Sequence, residues 1–249
     1  MLKRITLSIC CLFCINTLSN KVYAQTSADS LNNKLTVYDN TIDKFNTALG
    51  PGARLYNGEE YDGYYPGITG NAYFMDEPDW SVGSLVYDGY TFKNIKIRYD
   101  IYIDRAIIPL YNSFLKIGLL NERLTSFDAF GHHFIYIKHN PAVTGSVESG
   151  IYDELYGGKI QFLSKRSKSI QHDQTTTGIT TYFYPTINYY IFKNNQYFTV
   201  SGKGDMLAVL KDKKRELQQF IRSNKLKFNK TDKEQAMAKV AEYYDHISQ

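Results

Sequence analysis

Residues 85–104, LVYDGYTFKNIKIRYDIYID, decide the fold. Asp88-Gly89 stands between two runs rich in β-branched and aromatic residues. A two-residue type I′ turn needs positive φ at both central positions, which Asp and Gly supply, so the stretch reads as a β-hairpin. In that hairpin Tyr87 faces Tyr90 and Leu85 faces Phe92, giving aromatic and aliphatic cross-strand pairs. Further on, Ile95, Ile97, Tyr99, Ile101 and Ile103 alternate with Lys96, Arg98, Asp100, Tyr102 and Asp104. Such alternation marks a strand with one buried and one wet face. Tyr90 and Phe92 share parity with the wet set, so the apolar face changes sides near Lys93-Asn94. One extra residue flips every later side chain, and a β-bulge or strand break is expected there.

The tetrapeptide YDGY occurs earlier too, as Tyr61-Asp62-Gly63-Tyr64 within GEEYDGYYPGITG (58–70). Gly and Pro recur through that stretch, which reads as loop. The flanks of the two copies differ, so they are no structural repeat. Downstream, RAIIPL, SFLKIGLL, LTSFDAF and HHFIYIK read as short strands, with Pro109 at an edge or a strand end. GIYDELYGGKIQFLSKR and INYYIFKNNQYFTVS read as two more hairpins, turning at Gly157-Gly158 and Asn194-Asn195. HDQTTTGITT (172–181) reads as a polar, mobile loop. Hairpins in series predict an antiparallel meander rather than βαβ units.

After Lys203 the period changes. Leu207, Leu210, Leu217 and Ile221 share one helical face, with basic residues opposite. Thr231 and Glu234 form a capping-box pattern before a second helix carrying Ala236, Val240, Tyr243 and Ile247. The fold class expected is therefore α+β: an antiparallel β-domain over residues 52–202, as a sandwich or partial barrel, with two C-terminal helices over 203–249 packing on it. An outer-membrane barrel fits less well, because the chain ends in polar helices and several strands fall short of the roughly 9–11 residues a membrane strand needs.

Residues 1–24, MLKRITLSICCLFCINTLSNKVYA, show a basic start, a short apolar run and small residues before a cleavage point. This is the pattern of a secretory signal peptide, and the run is short of the ~20 residues that span a bilayer. Export to the periplasm, the outer membrane or the medium is the expectation. No transmembrane segment is expected after cleavage. Residues 25–51 read as a polar segment with a short helix over 34–49. All three cysteines lie in the leader, which excludes disulfides and thiolate chemistry from the remainder. The net charge is +4, and the leader's Lys3, Arg4 and Lys21 account for most of it. No nucleic-acid partner is indicated. Charge is uneven, however: residues 203–239 hold eleven Lys or Arg against five Asp or Glu. Peripheral membrane contact is one use for them, but the interleaved Asp212, Glu216, Asp232 and Glu234 make a solvated helix face the preferred reading.

The sequence carries few chemical motifs. His132, His133 and His139 lack a tight ligand spacing, so no metal is expected. There is no nucleophile elbow and no phosphate loop. No catalytic residue and no cofactor are assigned. The candidate ligand-binding patch is Arg98, Asp100, Tyr102 and Asp104, along the wet face of the strand. Residues four apart on a strand lie about 13 Å apart, beyond glycosidase carboxylate spacing, so Asp100 and Asp104 alone make no acid/base pair. The patch reads equally as a surface ion-pair ladder.

RLYNGEEYDGYY, GNAYFM, WSVGSLVYDG, IRYDIYID and KKRELQQFIRSNKLKF together resemble a group of exported proteins of Bacteroidota-type bacteria. The resemblance runs from about Arg54 onward. It implies export and a shared fold and carries no catalytic residues. The functional expectation is an exported envelope protein that binds a small-molecule ligand or an envelope protein without catalysis. The alternative is an envelope hydrolase, for example on glycans, with carboxylates drawn from distant strands.

Overall fold

Asp88 and Gly89 both take positive φ, 51° and 77°, and the hairpin closes with Tyr87 opposite Tyr90 and Leu85 opposite Phe92. The next aligned pair is Gly83 with Ile95, so two steps on one strand match three on the other. Asn94, at φ 57°, carries the extra residue. The bulge restores the register, and Phe92, Ile97, Tyr99 and Ile101 all reach the same core.

A computed structural model describes residues 54–176 and 178–248, together with Lys44. The leader, the polar segment after it and, Lys44 apart, the helix expected over 34–49 lie outside these residues. Among the described residues the strands are β1 (Glu59–Glu60), β2 (Ser81–Tyr87), β3 (Tyr90–Asp100), β4 (Arg105–Pro109), β5 (Lys116–Gly118), β6 (Leu124–Ala129), β7 (His132–Ile137), β8 (Gly150–Gly157), β9 (Gln161–Thr175), β10 (Gly178–Lys193) and β11 (Gln196–Val200). They form one antiparallel sheet in the order β1-β5-β4-β3-β2-β6-β7-β8-β9-β10-β11. The sheet is not closed. It does curl far enough for the Lys168 amide on β9 to donate to the Ile101 carbonyl beyond β3, at 3.1 Å.

Three expectations need correction. Within 172–181, read as loop, residues 172–175 and 178–181 are paired strand, with His172 opposite Thr181 and Gln174 opposite Ile179. This end of the ribbon is exposed, so polar threonines suit it, and their β-branching favours extended backbone. The first C-terminal helix is also interrupted. α1 (Lys203–Val209) and α2 (Lys214–Ser223) flank a 3-10 turn at Lys211–Lys213, and α3 (Lys233–Ile247) follows. Asp212 in the turn accepts from Lys193 Nζ at 2.7 Å and from the Tyr244 hydroxyl at 2.8 Å, anchoring the break to β10 and α3. The predicted capping box does not form. Asn229 Oδ1 instead accepts the Thr231 and Asp232 amides, at 3.1 and 2.8 Å.

One core fills the curl of β2–β8 around Phe74, Tyr99, Phe127 and Phe134. A second lies between β9–β11 and the helices, with Phe162, Ile191, Leu210, Leu217, Met237 and Val240 buried. Asp245 on α3 ties that layer to the β8–β9 turn, accepting the Lys159 amide at 2.6 Å and the Tyr156 hydroxyl at 3.1 Å.

Candidate functional site

β3 ends at Asp100, and the chain turns back through four residues into β4. Asp100 holds that turn. Its Oδ1 accepts the amides of Tyr102 at 2.9 Å and Ile103 at 3.2 Å, the local bonding for which aspartate is favoured in turns. Its Oδ2 accepts the hydroxyls of Tyr61 and Tyr64, each at 2.7 Å. Four donors offset the cost of burying the carboxylate, which is 0% exposed. The expected wet position is therefore fully buried, because a second segment covers it.

That segment, residues 61–76, runs across the open side of the curled sheet. The Tyr61 amide donates to the Lys116 carbonyl at 2.8 Å, and Thr69 bridges to β10 beside Tyr182. Tyr73 bridges Asp100, and the Ile101 amide donates to the Ala72 carbonyl at 3.0 Å. Lys168 on β9, its side chain 3% exposed, donates to the carbonyls of Asn71 at 2.8 Å and Tyr73 at 2.9 Å and pairs with Asp76. A buried ammonium satisfied in this way acts as a rivet between strap and sheet.

The four predicted site residues separate into three surroundings. Asp100 and Tyr102 come together through Tyr64, whose ring meets Tyr102 edge-on at 5.5 Å and Phe183 at 5.2 Å. Arg98 forms no ion pair with Asp100. Its guanidinium lies between the rings of Trp80 and Tyr73, at 4.3 and 4.7 Å. Asp104 is the last residue of the turn, accepting the Tyr99 hydroxyl at 2.7 Å and the Ile151 amide at 3.1 Å and pairing with Lys165 at 2.5 Å. The surface ladder is thus absent, and the two carboxylates share no partner. Burial pushes the Tyr61 and Tyr64 hydroxyls well above the usual tyrosine range, with the Asp100 carboxylate adding to the effect. Both stay protonated and act as donors. Burial lowers the Lys165 ammonium, with Asp104 opposing.

Sequence reading missed Tyr61 and Tyr64, the two tyrosines of the first YDGY copy, and the basic run Lys165, Arg166 and Lys168. The tyrosines sit in irregular chain, where no periodicity announces a partner. The cations sit in a largely polar strand, QFLSKRSKSIQHDQT, where nothing local marks them as buried. Arg166 joins Asp153 at 2.9 Å to Glu234 of α3 at 2.8 Å, while His132 Nδ1 approaches Asp153 at 2.9 Å.

Tyr61 and Tyr64, with Glu60, Asp62, Ile103 and Arg105, line an open cleft of about 260 Å³. Arg105 is paired with Glu59 at 2.7 Å. Among the described residues Glu60 and Asp62 have no such partner, so the cleft combines aromatic walls with free carboxylates. A larger cleft of about 500 Å³, lined by Tyr56, Ile95, Lys96, Leu110, Tyr111 and Phe114, carries no carboxylate or imidazole.

A third cleft, about 320 Å³, holds Asp128 and His133. Ser84 Oγ donates to Asp128 Oδ2 at 2.7 Å and His133 Nδ1 lies 2.7 Å from Asp128 Oδ1. The carboxylate sits between serine and histidine. A serine nucleophile needs the imidazole in that middle place to take its proton, so this grouping is not a catalytic triad. Burial works to raise the Asp128 carboxyl, but His133 and Ser84 outweigh it and hold it low. Among the described residues no group of three or more His, Cys, Asp or Glu is placed to hold a metal ion. No helix among them is long and apolar enough to cross a membrane.

The fold and site define an α+β protein with an open, curled antiparallel meander and an aromatic, acidic cleft on the strap that crosses it. No family model, curated protein or solved structure matches the chain.

Proposed function

We propose that this chain is an exported cell-envelope protein whose work is binding without catalysis, and that its ligand is a small molecule held in the cleft of Glu60, Tyr61, Asp62 and Tyr64. One observation carries the reading. The strap's two tyrosines spend their hydroxyls on Asp100, so their rings are fixed as walls while Glu60 and Asp62 keep unshared oxygens at the rim. Rings supply apolar contact and carboxylates accept hydroxyl or ammonium donors, the usual makeup of a small-ligand site. A polyhydroxylated ligand such as a saccharide suits both. Export rests on the leader pattern of residues 1–24.

The rival reading, a glycan hydrolase, draws less support. It needs two carboxylates flanking one bond, one of them free to hold or take a proton. Asp100, Asp104 and Asp153 are each committed to several internal donors, and the free pair Glu60 and Asp62 is exposed rather than set in the apolar pocket that a glycosidase acid needs. The test is a panel of envelope-type mono- and oligosaccharides, read by thermal shift for binding and by chromatography for products. Binding with the saccharide recovered intact supports the module. Shortened saccharide supports the hydrolase.

A further inference from the structure

We infer that the C-terminal helical layer carries a docking face for an anionic lipid surface, centred on residues 211–230. The sequence places eight Lys or Arg and two acids in that span. Interleaved acids ordinarily neutralise such a run, and of the two here only Glu216 is exposed with no partner among the described residues. Asp212 is taken by Lys193 and Tyr244, and just beyond the span Asp232 binds Asn229 at 3.0 Å and Glu234 is taken by Arg166 of β9. Among the described residues Lys211, Lys214, Arg215, Lys225, Lys227 and Lys230 are exposed and have no carboxylate partner. Leu217 and Ile221 are buried in the helical core, which leaves Arg215 and Arg222 on the outer side of α2, while Lys214 at its start and Lys225, Lys227 and Lys230 beyond its end are exposed. The ten residues of α2 alone separate the two ends of the patch by about 15 Å.

The kind of partner follows from the same residues. Arg222 is exposed too, bonded to the Gln218 carbonyl and to no acid, so five of these seven cations are lysines, compact charges on flexible stems, which suit a laterally mobile anionic surface. Arginine forks would be expected for fixed recognition of a single phosphate or carboxylate. Each lysine near an anionic bilayer adds attraction, and the sum falls off within a Debye length. A single-stranded nucleic acid would want free aromatic faces for stacking. The Phe220 ring in this span is already stacked on Tyr243 at 4.0 Å. α2 cannot insert, since its apolar stripe is occupied, so the contact is peripheral. The inference is independent of the ligand cleft.

The experiment is co-sedimentation of the natively processed chain with vesicles of phosphatidylcholine alone and of phosphatidylcholine with about one third phosphatidylglycerol. The expected result is binding to the anionic vesicles only, reversed by high salt, and weakened at least tenfold in Lys225→Glu/Lys227→Glu/Lys230→Glu. A second variant, Lys211→Glu/Lys214→Glu, keeps the test valid if the first fails to fold, and circular dichroism checks both. Equal binding to neutral vesicles, no binding to anionic vesicles at low salt, or tighter binding to DNA than to anionic vesicles at equal salt would overturn the inference.

Discussion

The Tyr64 hydroxyl donates to Asp100 Oδ2 at 2.7 Å across 36 residues of chain. This bond, with its twin from Tyr61, is what turns an irregular strap into a cleft wall. Asp100→Ala removes the acceptor for four donors and is expected to cost about 3 kcal/mol of stability, measured by urea unfolding. Tyr64→Phe removes one bond and leaves Tyr61 in place, with an expected cost of about 1 kcal/mol. Equal losses in the two variants would contradict the shared-acceptor account.

Lys168 makes a separate prediction. Lys168→Met keeps the stem but strands the Asn71 and Tyr73 carbonyls that the ammonium now satisfies. Hydrogen exchange should accelerate at residues 71–76 while β6 and β7 keep their protection. Uniform acceleration across the sheet would show that the strap is not a separable unit.

Alkaline pH should unfold the protein. Burial is the largest cause raising Tyr61, Tyr64, Tyr99, Tyr152 and Tyr189 above the ordinary value of 10.0. A raised folded-state value means the unfolded chain releases its protons first. The stability these groups contribute is whole below pH 10 and is lost as pH rises above it. Tyrosinate absorbance at 295 nm should rise for exposed rings first, then in a cooperative step that coincides with loss of the circular dichroism signal. Smooth ionisation of every tyrosine without unfolding would contradict the burial.

Gly83 sits at the register shift of β2, and a Cβ there would run into the Asp128 carbonyl of β6. Backbone cannot swing aside as a flexible side chain can. Gly83→Ala should cost about 3 kcal/mol, the upper end for overpacking, read by thermal or urea unfolding.

The hairpin residues 85–104 show how far sequence alone could go. Turn chemistry fixed Asp88-Gly89, and side-chain parity located the bulge at Asn94, because both are local rules. Parity also fixed the inward set Ile97, Tyr99 and Ile101. It failed at Asp100 and Asp104, because alternation says which side a residue faces and not what lies on that side. Asp100 and Asp104 were assigned to water, yet a strap from 61–76 covers one and Lys165 pairs with the other. Ile103, assigned to the core, is 41% exposed because β3 has already ended. The helical break at Lys211–Lys213 was hidden likewise, since Leu207, Leu210, Leu217 and Ile221 keep helical spacing through it. Long-range partners such as Asp212 with Lys193 have no local signature.

Native mass spectrometry of the protein released gently from its own envelope would reveal a ligand held in the cleft. The account predicts a small-molecule adduct on the unaltered chain that is absent from a folded Glu60→Gln/Asp62→Asn variant. An adduct retained in that variant, or none on the unaltered chain, would contradict it.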